Sequence, residues 1–204
     1  MLGHAGVVLF GGTLPSTRLA VGYLSPLFLT AIRASLAGCA GLTLLVLLRR
    51  PIPPRKLWFE LIRAGLCTII GFPVFMALAM AHVPASHGGV VLGILPLATV
   101  AAAALVPRER PSPGFWLASA TGAEMVIAFV LRDNGSNGFA LGDAFLHGTV
   151  LSGAFGYAMS GRLSMRMPGW EVICWQVAGF LPFSLLAALA LWHWQHVGEI
   201  SWPA

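Results

Sequence analysis

The chain has 204 residues, a formal charge of +5, a pI near 9.9 and a mean hydropathy of +0.83, with 57% hydrophobic and only 9% charged residues. A soluble domain carries about a quarter charged residues, so this composition excludes an ordinary soluble globular protein and implies an all-α polytopic membrane protein. The positive balance does not read as a nucleic-acid surface, because the basic residues fall in short gaps between apolar segments.

The opening residues MLGHAGVVLF carry neither a basic n-region nor an A-x-A site, so no cleaved signal peptide is expected. Seven segments can each hold a membrane helix: 5–24, 26–48, 60–82, 86–106, 114–131, 139–160 and 171–192. Each approaches the roughly 20 residues that a hydrocarbon core requires, the first and sixth being diluted by Gly, Ser and Thr. Backbone polar groups cannot be left open in lipid, so each segment reads as helix. Pro15, Pro73, Pro96 and Pro182 fall inside segments, where they predict kinks or broken helices lining a path. Cys39, Cys67 and Cys174 lie in apolar segments and read as packing residues, with no disulfide or metal spacing. No cofactor is implied.

Orientation follows from the loops. Arg49, Arg50, Arg55, Lys56, Arg108, Arg110, Arg162 and Arg166 occupy one set of gaps, and the alternate gaps hold only Arg132. This bias predicts a cytoplasmic amino terminus, with 49–57 inside and 132–140 outside. The expected location is the bacterial inner membrane, with the lipid bilayer as the first partner.

Arg18 and Arg33 are the first candidate site residues. They stand seven residues before Ser25 and seven after Pro26, so both lie roughly 10 Å in from one turn. A guanidinium at that depth must snorkel, pair or face a watery cavity. Glu124 is near the middle of its segment, where an acid reads as a proton-coupling group facing the Arg33 cavity or as a neutral packing residue. His147, in the sixth segment, reads as a proton relay or a helix-to-helix hydrogen bond. His87 reads as interfacial, and His193 with His196 lack further metal ligands. Gly11, Gly12, Gly88, Gly89 and Gly93 predict close helix approach. Trp58, Trp170, Trp192 and Trp194 fit an interfacial belt, and Asn134-Gly-Ser reads as a turn.

A shift of about 143 residues sets GGTLPSTRLAVGYLSPLFLTAIRASLAG over AFGYAMSGRLSMRMPGWEVICWQVAGFL, placing Arg33 on Gln176 and, with one residue of slack, Arg18 on Arg162. The opposite sidedness of Arg18 and Arg162 fits a unit repeated with inverted topology. The first unit covers 1–132 and the partial second unit 139–204, two helices where five are expected.

GGTLPSTRLAV, PLFLTAIRASLAG, ASHGGVVLGILPLATVAAAALVPRERPSPG (with Pro96 in mid-helix) and LGDAFLHGTVLSGAFGYAMSGRLS resemble the EamA-type family of the drug/metabolite transporter superfamily. The resemblance implies ten helices in two inverted halves and secondary transport of amino acids, metabolites, nucleotide sugars or drugs. Arg18, Arg33, Pro96, Glu124, His147 and Gln176 are the expected cavity residues. Two other readings stay open. One is an inactive truncated carrier, or one needing a second copy or a partner for its missing helices. The other is a membrane enzyme using Ser86, His87, Glu124 or His147, for which no spacing brings the groups together.

Overall fold

Ser25 opens the long second helix: its hydroxyl accepts from the Phe28 N–H at 3.4 Å, and Pro26 follows where no intrahelical donor is needed. In the computed structural model, residues 11–105 and 141–192 are described, with seven positions between 114 and 128. The helices are α1 Thr13–Ala20, α2 Pro26–Leu47, α3 Arg55–Gly65, α4 Phe72–His82, α5 Ala85–Leu92, α6 Leu95–Ala104, α7 Leu141–Leu163 and α8 Gly169–Trp192. The described residues contain no strand.

Four helical stretches are long and apolar enough to cross a membrane: Pro26–Leu47, Arg55–His82, Ala85–Ala104 and Gly169–Trp192. The helix α7 has 23 residues, enough to span, but is less apolar than α2 or α8 because it carries Asp143, His147, Arg162 and five glycines. These five match segments two, three, four, six and seven of the sequence reading. Segment one is described only from residue 11, and segment five only at scattered helical positions. Arg108, Arg110, Arg132, Asn134, His193, Trp194 and His196 lie outside the described residues.

Two prolines reshape their helices, each through the N–H it lacks. Pro73 cannot bond the Ile69 carbonyl, and directly before it residues Leu66–Gly71 widen into a π turn, in which the Phe72 N–H reaches back to Cys67 O. Pro96 likewise cannot serve Leu92, and the helix breaks at Gly93–Ile94 between α5 and α6. Pro182 sits inside α8 without ending it.

The most extensive contact joins α2 to α8, followed by α4 and α6 against α7. The first depends on small residues: a Cβ at Gly38 would lie 2.9 Å from Val177 O, and one at Gly41 2.6 Å from Val177 Cγ2. Backbones can approach this closely only without side chains between them. One apolar core, including Phe72, Met76, Met80, Leu92 and Leu146, fills the space among α4, α5 and α7. A second, with Leu45, Leu61, Leu163, Val172 and Trp175, joins α2, α3, α7 and α8.

The two ends differ in chemistry. At one, Arg50 Nε meets Glu171 Oε1 at 3.2 Å and stacks on Trp170, while Arg166 Nη1 meets Glu60 Oε1 at 2.8 Å. These pairs bring the segments after α2 and α7 to the same end, as the basic-loop pattern requires. There Arg49 takes a left-handed φ of 48°, and the Arg50 N–H bonds Leu45 O in a Schellman-type finish before Pro51. Elsewhere Leu36, Leu47, Phe183 and Leu189 are all at least 66% exposed. That much apolar surface along spanning helices suits lipid contact and is costly in water.

Candidate functional site

Thr13, Ser16 and Thr17 share one face of α1 by their i, i+3, i+4 spacing, and that face turns toward α2. With Gly12, Ala20, Leu29 and Arg33 they line a cleft of about 440 Å³. Arg33 Nη1 donates to Thr17 Oγ1 at 3.0 Å, and Thr17 is only 2% exposed. No described carboxylate lies within ion-pairing distance of Arg33. Among the described residues, the guanidinium therefore enters the cleft with no carboxylate partner, beside the hydroxyls of Thr13, Ser16 and Thr17.

On its other side Arg33 also lines a smaller cleft of about 220 Å³, with Thr30, Ala34, Thr68, Pro73 and Val177 among its walls. Thr68 belongs to the π turn. Its hydroxyl lies 3.0 Å from Ala64 O and 3.2 Å from Gln176 Oε1, so one proton is shared between two acceptors. Gln176 Nε2 donates to Ser160 Oγ at 3.0 Å, and Ser152 Oγ donates to Cys67 O at 3.0 Å. A half-buried polar node around the buried Gln176 thus ties the π turn to α7 and α8, and Thr68 connects it to the Arg33 cleft. Beside it Trp58, Trp175, Gln176, Phe180 and Phe183 line an aromatic cleft of about 420 Å³, where Trp175 Nε1 is buried with no acceptor among the described residues.

A profile of the EamA-like transporter family matches residues 1–130, which covers α1 to α6 and Arg33. The chain belongs to the EamA-like transporter family. It is also similar to the uncharacterized transporter YdeK of Bacillus subtilis (strain 168), with 40% identity over 183 residues. That match covers 90% of this chain and 63% of YdeK, so the chain spans less than two thirds of that protein's length. No solved structure matches. Family and relative are both named for transport, not catalysis.

Within this EamA-like chain the six expected cavity residues separate. Arg33 lines the small cleft with Thr68, whose hydroxyl bonds Gln176, while Gln176 itself lines the neighbouring aromatic cleft. Arg18 turns the other way, donating from Nη1 to the Met80 carbonyl at the end of α4. Pro96 is exposed in the first turn of α6 and acts on the helix break. His147 is exposed on α7, with Nδ1 2.7 Å from its own helix's Asp143 O. Glu124 is helical and exposed, and lines neither Arg33 cleft.

Of the enzyme candidates, His87 is buried against Asp143, while Ser86, Glu124 and His147 are exposed. Sequence reasoning passed over Thr17, Thr68, Ser152, Ser160 and Asp143. Only the Thr13, Ser16, Thr17 spacing offered a signal, since a lone hydroxyl in an apolar segment is common.

Proposed function

We propose that this chain forms the substrate-binding part of a secondary carrier for small polar metabolites bearing an anionic group. One observation carries the reading: Arg33, in a spanning helix, directs a guanidinium that meets no carboxylate among the described residues into a cleft of about 440 Å³ bearing the hydroxyls of Thr13, Ser16 and Thr17. Such a charge fits a carboxylate or phosphate, which can accept two parallel N–H donors from one guanidinium. Thr13 and Ser16 supply neutral donors and acceptors for the remaining polar atoms of a small ligand.

The amino terminus is cytoplasmic and the host membrane is the bacterial inner membrane, on the strength of the basic loops gathered at one end. The chain is one inverted-repeat unit over 1–132 with part of a second over 139–204, and α2 facing α8 packs corresponding helices of the two.

The test is ligand-induced thermal stabilisation of the purified chain in lipid nanodiscs. The probes are small amino acids, hydroxy acids and their uncharged amides. Acids that raise Tm in the wild type should lose the effect in Arg33→Gln, while the amides raise it in neither. Stabilisation by the amides, or full stabilisation of Arg33→Gln by the acids, would overturn the reading.

A further inference from the structure

At the end of the bundle that carries the Arg166–Glu60 pair, α3, α6 and α7 enclose a cleft of about 520 Å³. Glu60 and Arg63 reach it from one face of α3, and Ala158 and Arg162 from one face of α7, each pair about one turn apart. Both α3 and α6 pack on α7, and Ala102 of α6 meets Ala158 at the buried floor. The rim is apolar: Phe59 is 67% exposed and Leu105 75%.

The charges in this cleft do not balance. Its one described carboxylate, Glu60, is already held by Arg166 Nη1 at 2.8 Å. Arg63 lies over the Phe59 ring at 5.5 Å, a contact that orients the guanidinium without neutralising it. Among the described residues no carboxylate pairs with Arg63 or Arg162. Two guanidiniums from different helices therefore border one cleft with an excess of positive charge.

The depth of the cleft follows from helix length. Arg55–His82 has 28 residues, about 42 Å of helix against a hydrocarbon core of about 30 Å. The excess of about eight residues belongs at the Arg55 end, because Arg55, Lys56, Glu60 and Arg63 all lie in α3 while α4 is apolar up to His82. Arg63 then stands at the boundary between headgroups and acyl chains. Arg162 is the penultimate residue of α7 and lines the same cleft, so it shares that level.

We propose that this cleft binds the headgroup phosphate of an anionic phospholipid, whose acyl chains leave past Phe59 and Leu105. A phosphodiester offers two free oxygens, and a guanidinium presents paired N–H donors that match them. Basic clefts between spanning helices at the headgroup level are suited to such lipids. A zwitterionic lipid brings its own ammonium against Arg63 and Arg162 and fits less well. A soluble phosphate gains nothing from the apolar rim. The bound lipid fastens α3 to α7 at a point where Arg63 and Arg162 would otherwise repel.

The experiment titrates the purified, delipidated chain in detergent and counts bound lipids by native mass spectrometry. The probes are dioleoyl phosphatidylglycerol, dioleoyl phosphatidylcholine, and the chain-free competitors glycerophosphoglycerol and inorganic phosphate. One phosphatidylglycerol should bind more tightly than any phosphatidylcholine, and neither competitor should displace it. Arg63 and Arg162 are exposed, so glutamine there leaves the core intact. Arg63→Gln and Arg162→Gln should each weaken binding about tenfold to a hundredfold, as expected for a lost charge-assisted hydrogen bond. Arg55→Gln and Lys56→Gln remove the same charge outside the cleft and should weaken it by no more than about fivefold. Equal affinity for the two lipids, or equal losses in all four variants, would reduce the site to general charge attraction and overturn the proposal. Displacement by glycerophosphoglycerol or phosphate would assign the cleft to a soluble anion and overturn it too. Arg33→Gln should weaken lipid binding no more than the two controls do, so this proposal and the carrier reading fail separately.

Discussion

Replacing Gly38 with alanine adds one methyl where α2 meets α8, and the structure fixes what it strikes. The new Cβ would lie 2.8 Å from Leu181 Cδ1 and 2.9 Å from Val177 O. Leucine can rotate away, but the carbonyl belongs to the α8 backbone, so the helices must part. Overpacking of this kind costs about 1–3 kcal/mol. Alanine recovers about 1 kcal/mol of helix propensity relative to glycine. The net expectation is a loss of up to roughly 2 kcal/mol.

Gly41 provides a comparison, because its nearest obstacle is the side-chain atom Val177 Cγ2 at 2.6 Å, with Cys174 O farther away at 3.3 Å. Val177→Ala should therefore relieve Gly41→Ala in a double-mutant cycle, and should leave Gly38→Ala uncorrected at the carbonyl. Gly161→Ala in α7 is the control: nothing lies within 4 Å, so propensity alone should act and stabilise by up to about 1 kcal/mol. Reversible unfolding in mixed micelles, followed by tryptophan fluorescence, measures the four single variants and the two doubles. Gly38→Ala stabilised as much as Gly161→Ala would refute the close α2–α8 contact.

Three further outcomes follow from the same contacts. Gln176→Leu removes the bonds to Thr68 and Ser160 at nearly constant volume and should cost about 1 kcal/mol in unfolding assays, given the modest worth of hydrogen bonds within membranes. The Arg166–Glu60 pair is exposed at 52% and 42%, so a double-mutant cycle should give less than about 1 kcal/mol and shrink with added salt. Impermeant thiol reagents on intact cells should modify Ser86→Cys, and should reach Pro53→Cys only after permeabilisation; the reverse pattern would invert the proposed orientation.

The helical spans were legible in the sequence because lipid imposes both length and apolarity on them. The boundaries at 26–47 and 169–192 fall within two residues of the segments read from hydropathy. The break at Gly93–Ile94 was foreshadowed by Pro96, whose missing N–H acts locally. A distortion near Pro73 was legible for the same reason, but not the bonds that the π turn makes there with Ser152 and Gln176, which arrive from α7 and α8. Arg33 stood out because an isolated charge in an apolar helix demands a partner or a cavity. Glu124 stood out for the same reason, yet it is exposed and takes no part in either Arg33 cleft. Asp143 did not stand out, lying near a segment end beside a glycine. Its pairing with His87, 56 positions away, exists only once α5 meets α7.

The central claim is that Arg33 faces a water-filled, anion-attracting cleft and not lipid. In a background lacking the three native cysteines, the Arg33→Cys and Ser16→Cys variants are treated with a small anionic thiosulfonate in open membrane fragments. Leu36→Cys, on the same helix and 66% exposed, serves as the lipid-facing control. The account predicts that the thiols at 33 and 16 react and the one at 36 does not. Equal protection at 33 and 36, or reaction at 36 alone, would contradict it.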